Sequence, residues 1–198
     1  MLVKVCGLKV QNQVTELDSI VDFLGFIYYK NSKRFIEKAS ISETAKRVGV
    51  FVNESNDNIM KIAKRDALNY LQLHGDESAN MCKELRNSFK IIKAFGIDDS
   101  FEFSKLKEYE PHVDYFLFDT QSKHYGGTGK QFSWQLLQNY DLKKPFLLSG
   151  GIQPESVSEL KKIKHPLLVG FDLNSGFEIS PANKNCSLIK KFIDEINN

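Results

Sequence analysis

The chain has 198 residues, of which 41% are hydrophobic and 26% charged, and its formal net charge is +2. This length and composition favour one compact domain over residues 1–198, with enough apolar side chains for a full core. The nearly balanced charge, with lysines spread along the chain, argues against nucleic acid or an anionic membrane as a partner.

The beginning of the chain and its cysteines indicate a cytoplasmic protein. Met1 is followed directly by an apolar run that ends at Cys6, without a charged leader or a cleavage site, and no apolar stretch reaches 18 residues. Cys6, Cys82 and Cys186 have neither the spacing of metal ligands nor the even number of a disulfide framework. Reduced thiols and no metal site are therefore expected.

Apolar runs of strand length alternate with segments whose apolar residues recur at helical spacing. Strands are predicted over 2–8, 23–28, 48–52, 70–74, 89–95, 114–119, 145–149 and 167–172. Helices are predicted over about 14–21, from about 42, and over about 59–67, 76–85, 101–109, 133–138, 154–163 and 188–196.

Strict alternation of strands and helices predicts a parallel sheet with the helices outside it, because the crossovers are right-handed. Eight such units are expected to close into an α/β fold of the TIM type, an eight-stranded parallel (β/α)8 barrel. An open doubly wound sheet is the structural alternative.

The sixth strand and the segment after it combine two chemical signals. The strand ends on Asp119, and the polar segment that follows has three glycines among residues 126–129. Glycines let backbone N–H groups approach an anion such as phosphate closely. Each signal alone is more typical of a helix cap or a plain turn.

In a barrel of this kind, functional side chains lie at the C-terminal ends of the strands and in the loops that follow. The residues at those places include Cys6, Arg34, Asn53, His74, Lys93, Asp119 and Asp172. Cys6 and Asp119 come from different strands but face one mouth, so they would form a base and an acid acting on one substrate.

The loops after the last two strands are where such barrels commonly hold phosphate on backbone amides. Here they carry Gly150, Gly151, Asn174 and Ser175. A phosphorylated small molecule is therefore the natural ligand.

Structural interpretations of the same residues remain open. Cys6 is also typical of a small buried strand residue, and His74 of a core or capping histidine. Asp172 is equally consistent with orienting a loop, and Lys93 with a barrel-interior lysine paired with a carboxylate.

Seven short motifs in chain order carry a resemblance to a known family. They are Lys4-Val-Cys6-Gly7-Leu, Gly25-Phe26 with Ser32-Lys33-Arg34-Phe35, Val48 to Asn53, Gln72-Leu-His74-Gly75, Phe118-Asp119 with Gly126 to Gly129 and Phe132-Ser-Trp134, Ser149-Gly-Gly151 with Pro154, and Asp172 to Gly176. Together they resemble the phosphoribosylanthranilate isomerases of tryptophan biosynthesis over nearly the whole chain.

Three departures from the family pattern stand beside the resemblance. The family usually has Cys-Gly-Ile-Thr where this chain has Leu8-Lys9 after Cys6-Gly7, and a Pro-Lys pair where Lys30-Asn31 stand. It has Pro-Gly-x-Lys-Asp where this chain has Ala182 and Asn185 in the segment 181–185. The last departure is expected to affect the start and capping of the final helix rather than the chemistry.

The resemblance implies a cofactor-free barrel, a monomer or homodimer, that acts on a small phosphorylated substrate. The implied reaction is the Amadori rearrangement of N-(5'-phosphoribosyl)anthranilate to 1-(2-carboxyphenylamino)-1-deoxyribulose 5-phosphate. Asp119 would protonate the furanose ring oxygen, and Cys6 would remove the C2′ proton. Arg34 would bind the anthranilate carboxylate in a bidentate fork, and His74 and Asp172 would line the substrate site.

The resemblance also assigns a phosphate site on the glycine loops: Gly127, Thr128, Gly129, Gly150, Gly151, Asn174 and Ser175. Both reactive groups need shifted pKa values. Burial is expected to raise the pKa of Asp119, and nearby cations or amide dipoles to lower that of Cys6.

Two other functions are compatible with a barrel that carries such glycine loops. An indole-glycerol-phosphate synthase would need a set of Lys and Glu catalytic groups, and a ribulose-phosphate epimerase two acids with metal ligands. Neither set is recognisable in the sequence. A barrel that only binds a metabolite or a protein is disfavoured because Cys6, Arg34 and Asp119 occur together.

Overall fold

The computed structural model describes residues 1–120 and 134–198. Gly127, Thr128 and Gly129, predicted to bind phosphate, lie outside the described residues. Within the described part of the chain, no helix is long and apolar enough to cross a membrane.

Eight parallel strands close into a barrel in chain order, with the last strand paired to the first. The barrel strands are β1 (Leu2–Cys6), β2 (Phe23–Ile27), β3 (Lys46–Phe51), β4 (Tyr70–Leu73), β5 (Lys90–Ile97), β6 (Tyr115–Thr120), β7 (Phe146–Ser149) and β8 (Leu168–Leu173). The α-helices are α1 (Gln11–Leu17), α2 (Asn56–Arg65), α3 (Ala79–Arg86), α4 (Val157–Leu160) and α5 (Cys186–Asn197). The predicted parallel (β/α)8 barrel is confirmed.

Apolar side chains fill the barrel interior near the N-terminal ends of the strands. This inner cluster consists of Phe23, Val48, Tyr70, Ile92, Ala94, Leu117 and Leu147. A larger apolar cluster covers the outer face of the sheet. Side chains along a strand alternate between the inner and outer faces of the barrel, and apolar clusters bury both faces. The polar side chains of the inner face lie toward the C-terminal mouth.

Three predicted helices differ from the structure. No helix forms between β2 and β3, where one was expected from about residue 42. The segments expected to be helical at 101–109 and 133–138 form only 3₁₀ turns, Phe103–Leu106, Glu110–His112 and Trp134–Asn139.

The missing helix has no room to form, because β3 begins at Lys46 and leaves only residues 42–45 after the predicted start. The Asp18 carboxylate accepts hydrogen bonds from the Ser42 hydroxyl and from the backbone N–H groups of Glu43, Thr44 and Ala45. One side chain thus satisfies the backbone donors of this short segment without a helix. The connection therefore folds as a loop that is tied to the end of α1.

A second carboxylate fixes the middle of the same connection. Asp66 accepts hydrogen bonds from the Tyr28 hydroxyl at 2.6 Å, the Ala39 N–H at 3.0 Å and the Arg65 guanidinium at 2.8 Å. Although burial favours the neutral acid, these donors lower the pKa of Asp66 to about 2. The loop that carries Arg34 is thus anchored to α2.

An unpredicted hairpin follows β8. Its strands are β9 (Glu178–Ser180) and β10 (Asn183–Lys184), and Ala182 between them has φ 67°, a left-handed conformation that favours glycine. Asn185 caps α5 by accepting a hydrogen bond from the Leu188 N–H at 3.0 Å. The departure at Asn185 therefore leaves the cap intact, whereas Ala182 stands at a strained position.

Candidate active site

Cys6 ends β1 at the C-terminal mouth of the barrel. Its Cα is in register with Gly25 of β2, and its side chain is 4% exposed, in contact with Ile27 and Val50. Lys4 lies two residues earlier on the same inward face, in register with Asp172 of β8. The predicted base therefore sits above a buried charged layer.

Lys4 and Asp172 form a buried ion pair below the thiol. The Lys4 ammonium donates to both Asp172 carboxylate oxygens at 2.9 Å, and Lys4 is fully buried. Burial disfavours the ammonium, but Asp172 and Cys6 together raise the pKa of Lys4. Asp172, predicted to bind substrate, is thus engaged with Lys4 at the floor of the mouth.

The electrostatic surroundings of Cys6 differ from the expectation. Burial raises the pKa of the Cys6 thiol, although the Lys4 and Lys184 ammonium groups act in the opposite direction. The expected cations are present, but the expected lowering of the pKa is wrong because the cost of desolvating a thiolate is larger. The resting group is a neutral thiol.

Asp119 lies at the end of β6 and is contacted by a histidine from β4. His74 Nε2 is 3.3 Å from Asp119 Oδ2, and His74 Nδ1 is 2.8 Å from the amide nitrogen of buried Gln72. The ring is therefore held between the Gln72 amide at Nδ1 and the Asp119 carboxylate at Nε2. The side chains of His74 and Asp119 are 32% and 29% exposed, so Asp119 is less buried than expected.

Arg34 is held by a carboxylate of the chain itself. Its Nε donates to Glu178 Oε1 at 2.8 Å and its Nη2 to Glu178 Oε2 at 2.5 Å, a bidentate pair. The Arg34 side chain is 20% exposed, so the guanidinium reaches the surface of the mouth. The fork geometry predicted for a carboxylate ligand is the geometry that Glu178 uses.

A buried lysine joins this pair to the loop after β8. Lys184 donates to Glu178 Oε1 at 2.7 Å and to Asn174 Oδ1 at 2.8 Å. Burial lowers the pKa of Lys184 although Glu178 opposes the shift. Asn174, predicted to contact phosphate, is therefore fixed through its side chain, which leaves the neighbouring backbone in a defined position.

The loops after β7 and β8 meet at the same rim. Gly150 and Gly151 have φ values of 85° and 64°, and a side chain on Gly151 would project into open space. A 3₁₀ turn, Ser175–Phe177, follows β8, and a Cβ at Gly176 would collide with the Ile152 carbonyl oxygen. The structure thus brings together Gly150, Gly151, Asn174 and Ser175, the predicted phosphate-binding residues that it describes.

Two other strand-end residues have structural partners. Lys93 pairs with Glu77 at 3.2 Å and donates to backbone carbonyl groups of the loop after β4. It is paired with a carboxylate as predicted, but it lies on the outer face, 4.8 Å from the centre of the Phe95 ring. Asn53 binds the same loop through the Asp76 N–H at 2.7 Å.

Four residues around the site were not assigned from the sequence: Lys4, Gln72, Glu178 and Lys184. Lys4 and Gln72 each precede a predicted site residue by two positions on the same strand, a spacing that places both on one face. Glu178 and Lys184 lie in the short hairpin and gave no comparable signal. Among the described residues, no group of three or more His, Cys, Asp and Glu side chains has the arrangement of a metal site.

Comparison with known proteins shows similarity over the whole chain. The family model of N-(5'-phosphoribosyl)anthranilate (PRA) isomerase matches residues 3–195. The N-(5'-phosphoribosyl)anthranilate isomerase of Parabacteroides distasonis is 44% identical, with coverage of 99% of this chain and 93% of the relative.

Solved structures show the same similarity. The phosphoribosyl anthranilate isomerase of Thermotoga maritima superposes with a TM-score of 0.87 at 33% identity, covering 100% of this chain and 99% of that one. A phosphoribosyl anthranilate isomerase in complex with reduced 1-(o-carboxyphenylamino)-1-deoxyribulose 5-phosphate superposes with a TM-score of 0.85 at 30% identity, covering 100% and 98% of the two chains.

Proposed function

The chain belongs to the N-(5'-phosphoribosyl)anthranilate isomerase family, and we propose that it carries out the family's Amadori rearrangement with Cys6 as base and Asp119 as acid. One observation carries the assignment. Cys6 at the end of β1 and Asp119 at the end of β6 lie at one mouth of the barrel, around the Asp172 carboxylate. Asp172 interacts electrostatically with Cys6, with His74 and with Asp119.

The acid step uses the pair at the ends of β4 and β6. Asp119 gives its proton to the furanose ring oxygen, the C1′–O bond breaks, and the anthranilate nitrogen becomes an iminium. His74 Nε2 lies beside Asp119 Oδ2 at 3.3 Å, and we assign delivery of the proton to the other oxygen, Oδ1. The same hydrogen bond stabilises the carboxylate left after transfer.

The base step uses Cys6. Its thiolate takes the C2′ proton, the electrons of the C–H bond neutralise the iminium, and the enol amine tautomerises to the ketone. Because the resting group is a neutral thiol, deprotonation precedes this step and makes it depend on pH.

Substrate binding uses the two ends of the mouth. We assign the anthranilate carboxylate to the outer edge of the Arg34 guanidinium, since Glu178 occupies the Nε–Nη2 fork and holds the group in place. We assign the phosphate to the rim formed by Gly150, Gly151, Asn174 and Ser175. Support for a phosphorylated ligand comes from the relative whose structure contains a reduced deoxyribulose 5-phosphate. Gly127, Thr128 and Gly129 remain predicted contributors to the phosphate site.

The experiment follows the loss of anthranilate fluorescence when the enzyme is given freshly made phosphoribosylanthranilate. Turnover by the wild-type chain is expected, and its absence in a folded preparation would overturn the proposed function. Arg34→Met should mainly raise KM, because a carboxylate clamp holds ground and transition states alike. Arg34→Lys is the matched control that keeps the charge and loses the fork, and a fall in kcat at unchanged KM would assign Arg34 to the chemistry instead.

A further inference from the structure

Lys4 is a fully buried lysine one layer below Cys6 inside the barrel. It is 0% exposed, and its two hydrogen bonds of 2.9 Å go to the two oxygens of Asp172. An ammonium has three N–H donors, so two of them point to β8 and one remains for another direction. Cys6, two residues later on the same face of β1, lies in that direction.

The space between the two side chains exists because Gly25 has no Cβ. A carbon placed there would lie 2.9 Å from Cys6 Sγ and 3.1 Å from Lys4 Nζ. Both atoms therefore border the same small volume, and the Lys4 charge favours the thiolate of Cys6. Gly25 allows the ammonium and the sulfur to approach each other.

Resting on the proposed function, we propose that Lys4 is a positioning residue whose ammonium stabilises the thiolate of Cys6 as it takes the C2′ proton. Asp172 holds Lys4 in place and opposes the same thiolate through its own negative charge. The ion pair thus provides a cation at the sulfur that solvent cannot screen, since both partners are buried.

The other groups around Cys6 come from the neighbouring elements. The β2 and β3 strands cover the thiol with Gly25, Ile27 and Val50, none of which titrates. Lys184 of β10 adds a second positive charge. His74 and Asp119 act on Asp172, and Arg34 acts on Lys184. Lys4 is the cation among these that shares a strand face with Cys6 and borders the same small volume at Gly25.

The proposal predicts opposite effects for the two halves of the ion pair. Thiolate formation at Cys6 is titrated in the resting enzyme by ultraviolet absorbance, with Cys6→Ser subtracted in each background. Lys4→Met should lower the thiolate fraction at a given pH by about tenfold or more, whereas Asp172→Asn should raise it. If the two substitutions acted only by disturbing the packing, the Cys6 titration would move in the same direction in both variants, or not at all.

Lys4→Met leaves the Asp172 carboxylate buried without its partner, which destabilises the fold. A second comparison therefore avoids the unpaired charge. The double variant Lys4→Met/Asp172→Asn removes both charges and should show a lower thiolate fraction than Asp172→Asn alone. Lys93→Met, which breaks the buried pair with Glu77 on the outer face, is the matched control and should leave the Cys6 titration unchanged.

The rate provides the second measurement. The pH at which kcat/KM reaches its plateau should move upward in Lys4→Met and downward in Asp172→Asn. An unchanged Cys6 titration in Lys4→Met and in the double variant would overturn the role of Lys4, whatever the activity. Failure of the wild type to turn over substrate would overturn the proposed function, and the titration would still decide the Lys4–Cys6 relationship.

Discussion

His74 Nε2 lies 3.3 Å from Asp119 Oδ2, and the opposite ring nitrogen lies 2.8 Å from the amide of Gln72. The three side chains come from two strands, β4 and β6, and form one hydrogen-bonded row that ends at the mouth. Gln72 is buried inside the barrel, so it fixes the ring from below. The row gives the predicted acid a defined orientation.

The coupling between His74 and Asp119 is testable by a double-mutant cycle. Asp119→Asn should lower kcat by about 100-fold or more, because an amide donates a hydrogen bond but delivers no proton. His74→Ala should lower kcat by about tenfold in the wild type and by much less in the Asp119→Asn background. Steady-state kinetics of the four proteins gives the coupling, and losses that multiply independently would contradict it.

The pH dependence of the rate follows from the thiol. Burial raises the pKa of Cys6 above its ordinary value, and the thiolate is the reactive form in the proposed mechanism. The value of kcat/KM should therefore still be rising between about pH 7 and 9, by up to about tenfold per unit. Cys186→Ala, a change at another free thiol, should keep this profile. A plateau already reached below pH 7 would contradict the account.

The anchor of the loop that carries Arg34 predicts a stability effect. Asp66 is 4% exposed and accepts hydrogen bonds from Tyr28, Ala39 and Arg65. Asp66→Ala should lower the free energy of unfolding by about 3 kcal/mol at pH 7, because a buried hydroxyl and a guanidinium lose a charged partner. Urea unfolding measures this value. Exposed Asp99→Ala, as the control, should change it by less than about 0.5 kcal/mol.

The Asp66 carboxylate also makes the stability difference between the wild type and Asp66→Ala depend on pH, with a definite sign. The pKa of Asp66 is lowered to about 2 in the fold from an ordinary value of 3.8. A group with a lowered pKa contributes stability above its unfolded pKa and loses that contribution as the pH falls through its folded pKa. The wild type and Asp66→Ala should therefore differ fully above about pH 4 and converge toward pH 2. An equal difference at both pH values would contradict this reasoning.

The barrel could be predicted from the sequence because each strand is recognisable from its own residues. Buried parallel strands appear as short apolar runs, and their order follows from the alternation with helical segments. The loop after β2 was not predictable in the same way. The third strand begins at Lys46, two residues before its predicted start, and leaves too few residues for a helix after Ser42.

The site was predictable to the extent that it follows strand ends. Cys6, His74, Asp119 and Asp172 lie at or beside the C-terminal ends of their strands, as the barrel rule requires. Side chains one layer lower were missed, although the period of two along a strand places Lys4 under Cys6. Glu178, the partner of Arg34, could not be predicted from the sequence because it lies in a hairpin whose strands have three and two residues.

Turnover by Cys6→Ala tests directly whether Cys6 takes the substrate proton. The change removes little volume, so circular dichroism and the binding of the reduced product analogue should match the wild type. The rate at which anthranilate fluorescence is lost from freshly made phosphoribosylanthranilate should fall by at least about 1,000-fold, since the proposed general base is removed. A folded Cys6→Ala protein that turns over within tenfold of the wild type would contradict the claim.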